Sequence, residues 1–363
     1  MNPYTAWLRP LLFRLDAEQA HRLALEAAAR LGRFAPARQL ADDHDPRLQV
    51  RIAGLHFPNP VGLAAGFDKS GTAAEALASL GFGSIEIGSA SLDPSDGNPK
   101  PRLWRLPDDR AILVHYGLPN DGAAVITRRL AQLRLPVPLG INIVKTNRGR
   151  HAPPESAEQI IAEYVQAARA FAPQADYLTF NLSCPNTEDG RDFFADPGHL
   201  RDWLAAIANL RPDKPVFLKV SPLGGIEAIE RLLQAVEPHD FVSGFMFNLA
   251  PVKPEGLRTP ERVWRDRPGA VSGPPASALI DACITETWRR MDRGRFRIIA
   301  AGGISTAEDA YAKIRRGASA VQLLTALVYE GPGVVRRILR ELPRLLERDG
   351  LRNISDAVGL DVT

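Results

Sequence analysis

From Arg297 to Leu324 the chain reads RIIAAGGISTAEDAYAKIRRGASAVQLL. The apolar run Arg297–Ala301 stops at Gly302-Gly303, a helical pattern covers Ala307–Arg315, and a second apolar run, Ala320–Leu324, comes next. Short apolar runs bounded by turn residues read as buried strands, and two such strands joined by a helix form a parallel crossover unit. The same rhythm extends toward the N-terminus. Val61–Ala65, Ser84–Gly88, Leu139–Val144, Tyr177–Leu182, Val216–Val220 and Val242–Asn248 are further runs, with helical patterns such as Ala73–Leu80 and Ala157–Phe171 between them. Strands alternating with helices place the chain in the α/β class, and eight units predict a closed (β/α)8 TIM barrel. Apolar-run counting by itself also admits an open doubly wound sheet.

Residues 3–34 predict two short helices, the second capped by Asp16 with Gln19 as its capping-box partner. Leu23, Ala27 and Leu31 form its apolar stripe. The polar segment Ala41–Pro46 sets a boundary between an N-terminal helical extension, 1–45, and a barrel, 46–363. Leu48–Ile52 and Leu55–Pro58 around Ala53-Gly54 predict a hairpin. The long Pro/Gly-rich segment Ala250–Pro275 predicts an excursion over the barrel mouth.

Composition narrows the function classes. A net charge of +3 over 363 residues is too small for a dedicated nucleic-acid binder. Cys184 and Cys283, the two cysteines, lack metal or disulfide spacing, so no metal is expected and reduced cytosol is the default compartment. No apolar stretch reaches the length of a membrane span, and the N-terminus lacks a small-residue cleavage site.

In a barrel, chemistry gathers at the C-terminal ends of the strands. Those ends carry Ala64-Ala65-Gly66 and Lys69, then Ser89, then Asn142, then Asn181 through Asn186, then Lys219, Asn248, Gly302-Gly303 and Thr325. Amides, lysines, one thiol and small residues converge without a His or carboxylate cluster, which disfavours hydrolytic triads and metal sites. The set suits a flat heterocyclic cofactor, and the loops at Gly302-Gly303 and Thr325 occupy the phosphate-cradle positions of this fold. Flavin mononucleotide (FMN) fits better than a dinucleotide, because no GxGxxG follows a strand. Each feature also has a plainer explanation. A Gly-Gly pair is often only a turn, Lys219 suits a structural ion pair about as well as a cofactor contact, and Cys184 suits an inert buried thiol. Its setting between Ser183 and Pro185 favours chemistry, whereas Cys283 lies in a helical stretch and reads as packing.

Four stretches together resemble the dihydroorotate dehydrogenase family over about residues 3 to 360. They are Pro58 through Lys69, Gly81 through Gly88, Asn181 through Asn186 and Ile298–Ile304. The N-terminal helices, with Leu12 to Asp16 and Ala20-His21, are similar to the membrane-associating extension of its quinone-dependent class. The resemblance implies that Ala64, Ala65, Gly66, Ser89, Asn142, Asn181, Lys219, Ser272, Gly273, Gly302, Gly303 and Thr325 hold FMN. It implies that Lys69, Gly117, Leu118, Asn120, Asn186 and Asn248 face the substrate, and that Cys184 is the base that takes a proton from C5 of dihydroorotate. A quinone would be the acceptor. The protein would sit on the cytoplasmic side of the membrane as a peripheral protein, or in the cytoplasm.

Several positions depart from the pattern. Cys184 stands where quinone-dependent members usually carry Ser, and with Gly117-Leu118-Pro119-Asn120 it is similar to the soluble class. Val114-His115-Tyr116 replaces an Asn-led triplet, Leu249 and Phe247 replace small polar residues, and Leu324 replaces a Tyr. Two alternatives follow: a related flavoenzyme acting on another small cyclic or unsaturated substrate, and a barrel that binds FMN or a metabolite without turnover. Lys69, Cys184 and Lys219 weigh against the latter. Residues 1–40, with Arg9, Arg14, Arg22 and Arg30 among apolar positions, suit an interfacial helix pair and equally suit helices packed on the barrel.

Overall fold

The computed structural model describes residues 3–32, 45–183 and 193–362. Eight parallel strands close into a barrel: β1 Val61–Leu63, β2 Ser84–Ala90, β3 Leu139–Ile143, β4 Tyr177–Asn181, β5 Val216–Val220, β6 Val242–Phe247, β7 Arg297–Ala301 and β8 Ala320–Leu323. Neighbours in sequence are neighbours in the barrel, and β8 pairs with β1 through Val321 and Val61 to complete it. This closure decides against the open sheet. Each predicted run matches a strand within two residues at either end, and the predicted helices Ala157–Phe171 and Ala307–Arg315 have the expected bounds. The Ala73–Leu80 helix is shorter, Ala74–Ala78.

The strands are apolar because both of their faces are covered, by side chains inside the barrel and by helices outside. Phe180, Phe217 and Phe245 are fully buried. One position shows how closely the strands are fitted. A Cβ on Gly140 of β3 would lie 2.2 Å from the Tyr177 ring, so glycine there makes room for a tyrosine on the neighbouring strand.

Outside the barrel, Val50–Ile52 and Leu55–Phe57 form the expected hairpin. The segment 250–275 supplies Ala270–Ser272, which pairs antiparallel with Ala111–Val114, itself paired with Leu103–Leu106. This sheet was not apparent in the sequence, because its partners Val114 and Ala270 are far apart in the chain.

The N-terminal elements are a π-turn at Tyr4–Leu8, a helical turn at Arg9–Leu12 and a helix at Ala17–Gly32. Asp16 caps the last, accepting the Glu18 and Gln19 amides at 3.0 Å. One face of the extension docks on the barrel. The Tyr4 hydroxyl donates to the Val328 carbonyl at 2.7 Å, Arg9 donates to the Tyr329 carbonyl at 2.9 Å, and Phe13 packs edge-on against Tyr329. The other face leaves Trp7, Leu8, Leu11 and Leu15 exposed. No described helix is long and apolar enough to cross a membrane.

Candidate functional site

A cavity of about 960 Å³ opens at the C-terminal ends of the strands and extends to the N-terminal elements. Its size falls in the range of small-molecule sites. At one end, β7 stops at Gly302 and Gly303, both in left-handed conformations (φ +98° and +76°). A Cβ on Gly303 would stand 2.6 Å from that of Ser277, so only glycine lets this backbone approach the helix Ser277–Arg290. Behind it, Lys313 donates to the Ser277 hydroxyl at 3.2 Å and pairs with Asp281 at 2.5 Å. Across the cavity the Ser272 and Thr325 hydroxyls are 2.9 Å apart, with Thr325 opening a short helix after β8. Glycine turns and hydroxyls meet here, and among the described residues no carboxylate lines the cavity, an arrangement able to hold an anion.

Lys219 also lines the cavity and is only 8% exposed. Its amine makes no ion pair or side-chain hydrogen bond among the described residues.

Beside the cradle runs a row of amides. Asn142 donates to the fully buried Glu86 at 2.9 Å and accepts from Ser89 at 2.5 Å. Asn181 donates to Ser89 at 3.2 Å, and Asn248 donates to Asn181 at 2.6 Å. Glu86 further accepts from Gln322, Tyr177 and Thr179. The Gln322 carbonyl oxygen is buried without a partner among the described residues, and Gln322 lines the cavity.

The opposite wall is built around Lys69, which donates to the Gly66 carbonyl at 2.8 Å and lies over the Tyr116 ring. What surface it exposes faces the cavity, and burial lowers its pKa to about 8. Arg102 approaches the same ring at 5.4 Å and pairs with Glu18 of the N-terminal helix at 2.6 Å. His21, from the same helix, stands edge-on to Phe67 at 4.9 Å. Burial, and then the charge of Lys69, lowers its pKa to about 3, so its ring is neutral at ordinary pH. The extension is therefore wired to Lys69 through Glu18, Arg102 and Tyr116.

Of the residues expected at the site, Ala64, Ala65, Gly66, Lys69, Ser89, Leu118, Asn181, Lys219, Asn248, Ser272, Gly273, Gly302, Gly303 and Thr325 line this one cavity. Asn142 lies behind Ser89, and Gly117 and Asn120 are not among the lining residues. Asn120 donates to Ser91 and Leu118 and accepts from the Ser91 and Gly122 amides, so it holds the turn that presents Leu118. Cys184 and Asn186 lie outside the described residues. Val114, Phe247, Leu249 and Leu324 add apolar lining. Cys283 is buried, donates to the Pro222 carbonyl at 3.3 Å, and has its pKa pushed up to about 11, as suits a packing residue. Glu86, Gln322, Arg102, Glu18 and His21 were missed as site residues in the sequence, and Tyr116 was noted only as a departure from the family pattern. Glu86 alone left a signal there, a charge inside an apolar run.

A closed (β/α)8 barrel whose mouth joins small-residue turns, a buried lysine and a row of amides around one cavity has the arrangement of a small-molecule enzyme site. The family model for dihydroorotate dehydrogenase matches residues 47–346. The chain belongs to the dihydroorotate dehydrogenase family of oxidoreductases. It is 42% identical to a dihydroorotate dehydrogenase (quinone) of Sphingopyxis alaskensis, covering 98% of this chain and 96% of that one. It is 39% identical to one of Natronomonas pharaonis, covering 98% of each. Among solved structures, that of the Eimeria tenella enzyme with ferulenol superposes with a TM-score of 0.82 at 33% identity, covering 95% of this chain and 96% of that one.

Proposed function

We propose that this protein oxidises dihydroorotate to orotate with FMN as its resident cofactor and passes the electrons to a quinone. The observation that carries the reading is the convergence of Lys69, Asn181, Lys219 and Asn248 on the cavity that also holds the Gly302-Gly303 cradle. The residues fit FMN. Gly302, Gly303, Ser272, Gly273 and Thr325 would take its phosphate, while Ala64, Ala65, Gly66, Ser89, Asn142, Asn181 and Lys219 would hold the remainder.

When bound, FMN supplies an acceptor for the hydride leaving C6 of the substrate. Cys184 takes the proton from C5, and a thiolate there is the active form. Lys69 holds the substrate carboxylate, with Gly117, Leu118, Asn120, Asn186 and Asn248 forming the rest of the pocket, Asn120 by fixing the Leu118 turn. Lys219 would face the cofactor, where a cation favours an electron-rich ring. The quinone, entering past the N-terminal helices, takes up two electrons and two protons to become a quinol.

Val114 and Leu249 line the cavity and offer no hydrogen bond, which favours a second reading, a less polar cyclic substrate. Steady-state turnover of dihydroorotate with a soluble quinone separates the two. Turnover supports the first; turnover that appears only in Val114→Asn supports the second.

A further inference from the structure

Glu86, Asn142, Ser89, Asn181 and Asn248 form one hydrogen-bonded row across the barrel mouth. We infer that Glu86, acting through this row, fixes which end of the Asn248 amide meets the substrate, and that the substrate must present an N–H donor there. The inference rests on the substrate-facing role proposed above for Asn248.

The row has a direction. Carboxylate oxygens accept hydrogen bonds, and Glu86 is met by donors on both oxygens. The Asn142 amide lies 2.9 Å from Oε1, while Gln322 at 2.9 Å, the Tyr177 hydroxyl at 3.2 Å and Thr179 at 3.3 Å meet Oε2. Asn142 must therefore turn its nitrogen to Glu86 and its oxygen to Ser89, 2.5 Å away. Ser89 has one hydroxyl hydrogen, and Asn142 takes it. Toward Asn181, Ser89 can only accept, so Asn181 gives its nitrogen at 3.2 Å and leaves its oxygen for Asn248. Asn248 answers with its nitrogen at 2.6 Å.

That nitrogen also lies 3.2 Å from both the carbonyl and the hydroxyl oxygen of Ser183. Both amide hydrogens are thus committed inside the protein. Asn248 is 7% exposed and lines the cavity, and its Oδ1 has no partner among the described residues. Reversing any one amide would set oxygen against oxygen or N–H against N–H in a buried place, which folded proteins avoid.

The consequence is a specificity rule. A carbonyl oxygen facing the ligand accepts, so a ring N–H is welcomed and a ring oxygen meets lone pair with lone pair. Dihydroorotate and orotate carry ring N–H groups. Glu86 touches neither cofactor nor substrate in this account; it is a positioning residue.

The test uses FMN-loaded protein and follows ligand binding through the flavin spectrum. Orotate is compared with two analogues, each having one ring N–H replaced by oxygen. The wild-type protein should bind one of them about 10- to 100-fold more weakly than orotate. Ser89→Ala cuts the row and frees Asn181 and Asn248 to turn, so that ratio should fall several-fold or more. A ratio unchanged in Ser89→Ala, with both ligands weakened alike, would overturn the inference. Neutron diffraction on deuterium-exchanged wild-type protein gives a second, activity-independent answer, and it decides if Ser89→Ala does not retain FMN. Deuterons on the Asn248 nitrogen pointing to Asn181 and Ser183 support the row, and a nitrogen pointing into the cavity overturns it. Failure of orotate to bind at all would instead count against the proposed substrate.

Discussion

The Lys69 ammonium lies 3.9 Å from the centroid of the Tyr116 ring. An aromatic face attracts a cation without neutralising it, so Lys69 is held in place over the cavity while its charge stays available to a ligand. The Tyr116 hydroxyl is buried without a partner among the described residues. The ring, rather than the hydroxyl, is what Lys69 uses.

The pKa of Lys69, lowered to about 8 by burial, predicts the pH dependence of product binding. The orotate carboxylate stays ionised, so binding weakens as pH rises through about 8 and Lys69 loses its proton. An exposed lysine would keep its charge until about pH 10. Orotate titrations from neutral to alkaline pH should show affinity falling above about pH 8, toward about tenfold per unit. Lys69→Met should bind weakly and show no such fall. A wild-type affinity that is flat across this range would remove Lys69 from the carboxylate.

Gly303→Ala should strip the cofactor. A side chain at φ +76° is strained by about 1–2 kcal/mol, and its Cβ would press on Ser277. The loop must shift, and the cradle N–H groups shift with it. FMN retained per chain after purification, read by absorbance, should drop, with a Kd for added FMN at least about tenfold higher, the equivalent of about 1.4 kcal/mol. Full FMN content in this variant would place the phosphate elsewhere.

The eight barrel strands were legible because each is a short apolar run, and Lys219 stood out as a charge within one. Glu86 carried the same signal in Ser84–Gly88 and is the more informative of the two, since its partners come from β3, β4 and β8. What a buried charge does depends on which strands close around it, and that is settled only by barrel closure. The Glu18–Arg102–Tyr116–Lys69 connection was hidden for a similar reason. Glu18 looks like an ordinary first-turn acid on a helix, and nothing local says that a buried arginine 84 positions away is its partner.

The exposed face of the extension predicts contact with a lipid surface. Trp7 is 76% exposed and Leu11 58%, so neither contributes much to packing on the barrel. Trp7→Ser with Leu11→Ser should leave the melting temperature nearly unchanged and markedly reduce co-sedimentation with phospholipid vesicles, because interfacial binding scales with buried apolar area. Equal vesicle binding by variant and wild type would confine the extension to its role on the barrel.

The most direct measurement is anaerobic mixing of the purified, FMN-loaded protein with dihydroorotate while the flavin absorbance is followed. The account predicts prompt bleaching in a single turnover and return of the colour on adding a quinone. In Cys184→Ala, bleaching should slow by roughly 10²–10⁴-fold, the usual contribution of a general base, with FMN still bound. A flavin that dithionite bleaches but dihydroorotate leaves oxidised would contradict the account.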